Sequence, residues 1–283
     1  MSIRNTKRYT DAMVNGQITV GHFRKVPGLA STAGCWTDVG MAAGNPPPNY
    51  YASTPLVASV LDGWRGIYHG DNKSPLEMYL SEVMLVTPTA AMVGTYRMMD
   101  YLLYYPFVDL DDTDPQTDFN NSITLPRYTN GAGVMAMLVA QAPTVGAGRF
   151  TFTYVNQNGD TRTSPINYCT TSGMNMGTLL TMQPASAGGG GPFLILAEGD
   201  TGIRQILTFT NSVSNGGLGA IVLVKVLSDF FINEINTPVE ASFPNMQPGP
   251  PRIYDGAFLN FICNPAGSIA AGLLTGRTSF TWL

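Results

Sequence analysis

The chain is short of charge. Asp, Glu, Lys and Arg make up 12% of its 283 residues, about half the roughly 25% usual for soluble domains. Disorder is excluded, because a disordered chain is charged and apolar-poor, whereas 44% of these residues are apolar. A free monomer fits poorly too, since solubility rests on a charged surface. The deficit suits a surface covered by neighbours, because charge is depleted at interface cores. The other reading is a β-rich monomer with a Ser/Thr/Asn/Gln surface. The net charge is −4, and Arg4, Lys7 and Arg8 form the one basic cluster. No nucleic-acid partner is therefore expected, and the cluster reads as a solvated terminus.

Cysteine and histidine are scarce as well. Cys35, Cys169 and Cys263 contain no CxxC pair, which argues against a zinc site and for reduced, buried thiols made in a cytosol. His22 and His69 are the only histidines, in no HExxH spacing, and no G-x-S-x-G elbow is present. The glycine run "AGGGGP" at 187–192 lacks the Lys-Ser/Thr ending of a phosphate loop. "NGAGVMA" at 130–136 lacks the third glycine of a dinucleotide fingerprint. Both read as turns. No apolar run reaches the roughly 18 residues of a membrane helix, and no apolar leader follows Met1. The expectation is a protein without cofactor, membrane partner or enzymatic activity.

Glycine and proline are plentiful, at 31 and 20 residues. Residues 1–60 look irregular, and "GNPPPNYY" at 44–51 excludes a helix interior or a central strand. Apolar anchors (Val20, Phe23, Val26, Leu29, Trp36) suggest an extended arm, lying on a neighbour or on its own domain. "SPLEMYLSEVML" from Ser74 has the Ser, Pro and Glu of a helix start, with Leu76, Tyr79, Leu80 and Val83 at helical spacing. "MVGTYRMMDYLLYYP" at 92–106 is apolar on every face and reads as a buried helix or strand, the helix favoured. From about 126 the period becomes two. Phe150, Phe152 and Tyr154 alternate with Thr151, Thr153 and Val155, and Asn158-Gly159 supplies a hairpin turn. "PFLILA" (192–197), "IRQILTFT" (203–210) and "GAIVLVKVL" (219–227) read as further strands, before a Pro-rich tail at 236–283 that ends in a short strand-like "RTSFTWL". The predicted fold is mainly β: an antiparallel sandwich or barrel-like domain over 126–283, preceded by a smaller irregular and helical part over 1–125, with extended arms.

The one dense charge cluster is "DLDDTDPQTDFNN". Asp109, Asp111, Asp112, Asp114 and Asp118 fall within ten residues. An EF-hand numbered from Asp109 fails at its sixth and twelfth positions, which are Asp114 and Asn120. Asp109, Asp111 and Asp114 are the candidates for a looser calcium site. The competing reading is a wet connection whose Asp and Thr side chains make turn hydrogen bonds.

The segments "DLDDTDPQTDFNNSITLPRYTNGAG" (109–133), "GGLGAIVLVKVL" (216–227) and "PRIYDGAFLNFICNPAGSIAAG" (251–272) resemble virion structural proteins of tailed bacteriophages. The resemblance covers the last two-thirds of the chain and includes no catalytic motif. It implies a capsid decoration (cement) protein, β-rich and homo-oligomeric, a trimer first, bound to phage capsid proteins. It also implies residence in the virion after synthesis in the bacterial host cytoplasm. The major capsid protein and a tail or adaptor component are the alternatives within a virion; the first lacks its expected spine-length helix. A carbohydrate-binding β-sandwich is the alternative of another class, and would need Trp36, Trp64 and Trp282 as an exposed sugar platform.

Overall fold

The computed structural model describes residues 6–28, 30–31, 34–61, 63–70, 73–146, 148–169, 174–180, 191–243 and 249–283. A single α-helix, α1 (Thr6–Val14), is followed by sixteen strands among these residues. In chain order they are β1 (Ile18–Val26), β2 (Thr37–Asp38), β3 (Ala43–Asn45), β4 (Ser59–Val60), β5 (Met78–Val86), β6 (Gly94–Asp109), β7 (Val134–Ala140) and β8 (Gly148–Asn156). There follow β9 (Thr161–Thr163), β10 (Asn167–Cys169), β11 (Ile203–Asn211), β12 (Leu218–Ile232), β13 (Val239–Ser242), β14 (Arg252–Ile253), β15 (Phe258–Pro265) and β16 (Leu274–Trp282). The fold is mainly β, with antiparallel sheets packed on one another.

Three sheets are built from these strands. The central one runs β2-β15-β6-β12-β7, with β4 also on β6. A second runs β13-β5-β16-β1-β3, with β14 on β5, and a third runs β10-β8-β11, with β9 on β8. The organising pair is β6 with β12, joined from Gly94↔Ile232 to Asp109↔Leu218 through several bulges. At 16 and 15 residues, these strands reach about 50 Å, long enough to serve two cores. At one end Tyr96, Met98, Phe230 and Ile232 pack with Phe23, Leu80, Val83, Leu85 and Phe280 of the second sheet. At the other end Leu103, Tyr105, Ile221 and Leu223 pack with Phe150, Phe152, Ile206 and Phe209 of the third. The opposite face, including Met99, Tyr101, Tyr104, Val222 and Val224, is closed by Trp36, Met41, Tyr51, Leu61 and Leu179.

Both segments expected to be helical are strands. Residues 94–109 form β6, buried without a break from Met98 to Pro106 and enclosed on both faces. Such a strand reads as a continuous apolar run, which periodicity cannot separate from a buried helix. The apparent helix start at Ser74 is instead a turn, closed by the Leu76 N–H to the Lys73 carbonyl at 2.8 Å. After it β5 settles into strict alternation: Val83 and Leu85 are buried while Glu82, Met84 and Val86 are half-buried. The one α-helix among the described residues is α1, within the segment read as irregular.

The supposed arms are structural. β1 lies inside the second sheet, paired with β16 from Ile18↔Thr281 to Lys25↔Leu274 and with β3 on its other edge. The 125/126 boundary is likewise crossed by the sheets, since β6 pairs with both β12 and β15 and β5 with β16. The surface area is 11,675 Å², close to the roughly 11,800 Å² expected of a compact 30.3 kDa chain.

The β8–β9 hairpin turns at Asn158-Gly159 as expected, with Gly159 at φ +93°, a region that glycine enters without steric penalty. Phe150, Phe152 and Tyr154 are buried while Thr151, Thr153 and Val155 are half-buried. β11 and β12 fall where 203–210 and 219–227 were read as strands. Residues 192–197 are not a strand. They form an irregular segment held by the Leu194 N–H to the Ala136 carbonyl (2.8 Å) and the Ile195 N–H to Asn167 Oδ1 (2.8 Å).

Candidate functional site

The aspartate segment emerges from the end of β6 and stays wet. Asp109, Asp111, Asp112, Asp114 and Asp118 are all exposed. Asp109 Oδ1 accepts the Asp111 N–H and Asp112 Oδ1 accepts the Asp114 N–H, each at 2.9 Å. The Ser214 hydroxyl donates to Asp111. Gln116 clamps the base of the loop, its Oε1 accepting the Asp109 N–H at 3.0 Å and its Nε2 donating to the Asp109 carbonyl at 2.7 Å. Asn211 Nδ2 donates to the carbonyls of Asp109 and Asp112. These are the self-bonding habits of Asp in turns. Among the described residues no three His, Cys, Asp or Glu side chains are grouped to hold a metal, so Asp109, Asp111 and Asp114 are not brought together as ligands.

A polar centre with stronger chemistry lies elsewhere. Asp38, 2% exposed, ends β2 and accepts the Gly40 N–H at 2.8 Å, which caps a short 3-10 turn. Its other acceptor positions take the hydroxyls of Tyr101 (2.8 Å) and Tyr51. Burial pushes the Asp38 carboxyl up, against those three donors and the charge of Lys25. The same burial, with Asp38 beside them, raises both tyrosines. Lys25, 1% exposed, donates to the carbonyls of Ala42 and Pro46, each at 2.8 Å. Burial lowers its pKa to about 8, with Asp38 opposing. Every hydrogen-bonding partner named for this centre is a fixed part of the fold. The arrangement pins the loop at 37–51 onto the central sheet.

Beside it is a half-open, mostly apolar cavity of about 260 Å³, lined by Thr37, Asp38, Met41, Tyr50, Met176 and Ile269 among others. Thr37 is 6% exposed, and its hydroxyl has no hydrogen-bond partner among the described residues.

A second buried charge is paired. Asp100, 1% exposed, receives Arg127 in a bidentate contact, Nε to Oδ2 at 2.8 Å and Nη2 to Oδ1 at 2.7 Å. Arg127 Nη2 also reaches the Tyr101 carbonyl at 3.1 Å, and the Phe258 N–H donates to Asp100 Oδ1 at 3.1 Å. Burial pushes the Asp100 carboxyl up; the guanidinium and the Phe258 amide pull against it. This pair ties the 127 loop to β6 and β15. Sequence reading passed over both centres. The available signal was a lone Asp100 inside "MMDYLLYY", because a charge in an apolar run needs a partner.

The remaining sequence candidates are dispersed. His22 is exposed and His69 buried, with Nε2 3.0 Å from the Ala257 carbonyl. Gly131 and Gly133 have φ of +72° and +66° in the turn that leads to β7, while 187–190 lie outside the described residues. Cys35 and Cys263 are buried free thiols. Trp36 is 6% exposed under Arg97, and Trp64 is 71% exposed, so the three tryptophans do not form one sugar platform. No helix among the described residues is long and apolar enough to cross a membrane.

No family model matches the chain, and no curated protein matches it. A solved structure titled D431N mutant VP2 protein of infectious bursal disease virus, derived T=1 particles, aligns over 94% of this chain and 78% of that one. It does so at 9% identity and a TM-score of 0.14, too low to establish a shared fold.

Proposed function

We propose that this chain is a non-enzymatic virion structural protein: a capsid decoration protein, made in the host cytoplasm, that binds and stabilises a phage shell as a homo-oligomer. The carrying observation is the character of the surface. Fifteen basic and nineteen acidic residues over 11,675 Å² give about one charge per 340 Å², roughly half the density of an ordinary domain. Large apolar side chains stand in the gaps, including Val14 (81% exposed), Val145 (75%), Trp64 (71%), Tyr68 (54%) and Phe231 (54%). Such side chains mark contact surfaces when they are grouped. The strongest buried polar groups, Asp38, Lys25, Asp100 and Arg127, are engaged with one another and with the backbone, which supports a structural role over catalysis. Binding to shells assembled without this protein tests the proposal. The protein is expected to pellet with the shells and raise their melting temperature. Recovery wholly in the supernatant, with unaltered shells, would overturn it.

A further inference from the structure

We propose that the cleft along the second edge of β12 takes an extended, acidic segment of a partner protein as an added strand of the central sheet. β12 is paired with β6 as far as Ile232, but its pairing with β7 ends at Lys225. From Val226 onward no strand takes the other edge among the described residues, and no loop hydrogen bond reaches the backbone there. A half-open cavity of about 540 Å³ lies against this edge, lined by every residue from Lys225 to Asp229. Successive side chains of a strand point to opposite faces, so a cavity touched by five in a row borders the edge itself. A row of unpaired N–H and C=O groups is a template for another strand, and the volume is that of a ligand site.

The opposite wall keeps the cleft open. Pro250 and Pro251 line it and have no N–H to offer, so this wall does not close a regular ladder with β12. The Pro251 carbonyl is turned the other way, to the Leu80 N–H of β5 at 2.9 Å. Tyr128 and Tyr254 also line the cleft, edge to face with ring centroids 5.0 Å apart. Tyr128 is held at φ +52°, a left-handed conformation that strains a bulky residue. Strain of this kind collects at ligand clamps.

Charge selects the occupant. Arg252 lies 4.6 Å over the Tyr254 ring and is answered by Glu77 at 2.9 Å, and Asp229 is answered by Arg97 at 2.8 Å. Lys225 lies 5.5 Å over the Tyr128 ring and donates to the Ala132 carbonyl at 3.0 Å. Burial pushes its pKa down with no carboxylate opposing. Lys225 is the unanswered cation of the cleft, and an acidic side chain on the entering strand is its complement. The geometry does not depend on the shell-binding reading, and neither does its test.

The probe is the peptide Ac-Asp-Val-Thr-Val-Asp-amide. Extended, it spans about 17 Å, the length of the Lys225–Asp229 edge, and an acid at each end serves either strand direction. Titrated into the full chain to about 1 mM, it should saturate one site. Amide exchange should slow at alternate residues from Val226 to Asp229, where outward N–H groups gain partners, and stay unchanged in β7. The counterpart with Lys in place of Asp should bind at least about tenfold more weakly, and Lys225→Met should weaken the acidic peptide by about the same factor. The two peptides on the wild-type chain carry the test even where that variant fails to fold. No saturation by about 1 mM, binding without slowed exchange at the edge, or equal affinity for the two peptides would each overturn the proposal. So would edge amides already protected before peptide is added: protection at every protein concentration means that the chain itself holds the edge, and protection only at high concentration means that a second copy does.

Discussion

Replacing Arg127 by Met removes the cation from a carboxylate that water cannot reach. Asp100 is 1% exposed and holds Arg127 at 2.8 and 2.7 Å. Methionine retains most of the aliphatic stem, so the loss is chiefly electrostatic. Breaking a buried pair on one side costs about 3–5 kcal/mol, against a total stability of about 5–15 kcal/mol. Guanidinium unfolding at pH 7 should register a loss of that size. The pH dependence identifies its cause. Burial already raises the Asp100 pKa, and loss of the guanidinium raises it further. The native state then binds a proton that the unfolded chain, with an Asp pKa near 3.9, does not hold. Stability of the variant is therefore greatest in acid and falls as pH rises through the folded pKa. The deficit against wild type should shrink on going from pH 7 to pH 5. The double variant Asp100→Asn/Arg127→Met, which keeps an acceptor for the Phe258 amide and carries no charge, should recover at least half the loss. A single variant within 1 kcal/mol of wild type, or a deficit unchanged by pH, would refute the reasoning.

Lys25 should add a gain in alkali. Burial lowers its pKa from 10.5 to about 8, so between those values the unfolded chain binds the extra proton and stability rises with pH. The rise is about 3 kcal/mol from pH 8 to 10.5, measured against Lys25→Met by unfolding at both values; parallel curves for the two proteins would contradict it. The aspartate loop should be indifferent to calcium. Melting midpoints in excess EDTA and in millimolar calcium are expected to coincide. A site with a dissociation constant near 10 μM would add about 2.7 kcal/mol at 1 mM, and a shift of that size abolished by Asp111→Asn would restore Asp109, Asp111 and Asp114 as ligands.

The hairpin at Asn158-Gly159 was legible because its signals are local: alternation on both sides and a glycine where φ must be positive. β11 and β12 were legible as apolar β-branched runs between turns. β6 was not, because burial on both faces erases the alternation that marks a strand. The strand character of "RTSFTWL" was legible and falls in β16, but β1 was hidden by its surroundings; a Pro- and Gly-rich neighbourhood suggested an arm, while its pairing with β16, 257 residues apart at Gly21↔Thr278, is set by tertiary contact. The same distance hid the polar centres. Asp38 meets Tyr101 across 63 residues and Asp100 meets Arg127 across 27, so no spacing rule reveals either. The exposed aspartates were readable because five like charges in ten residues hold their ionised form most cheaply in water.

The central claim is that this chain coats a virion shell, and copy number tests it most directly. Quantitative mass spectrometry of purified virions of the proposed kind, scaled to their major capsid protein, gives that number. The account predicts hundreds of copies per particle, as a decoration protein on repeated shell sites requires. Absence from the particle, or six or twelve copies as in a tail or adaptor ring, would contradict it.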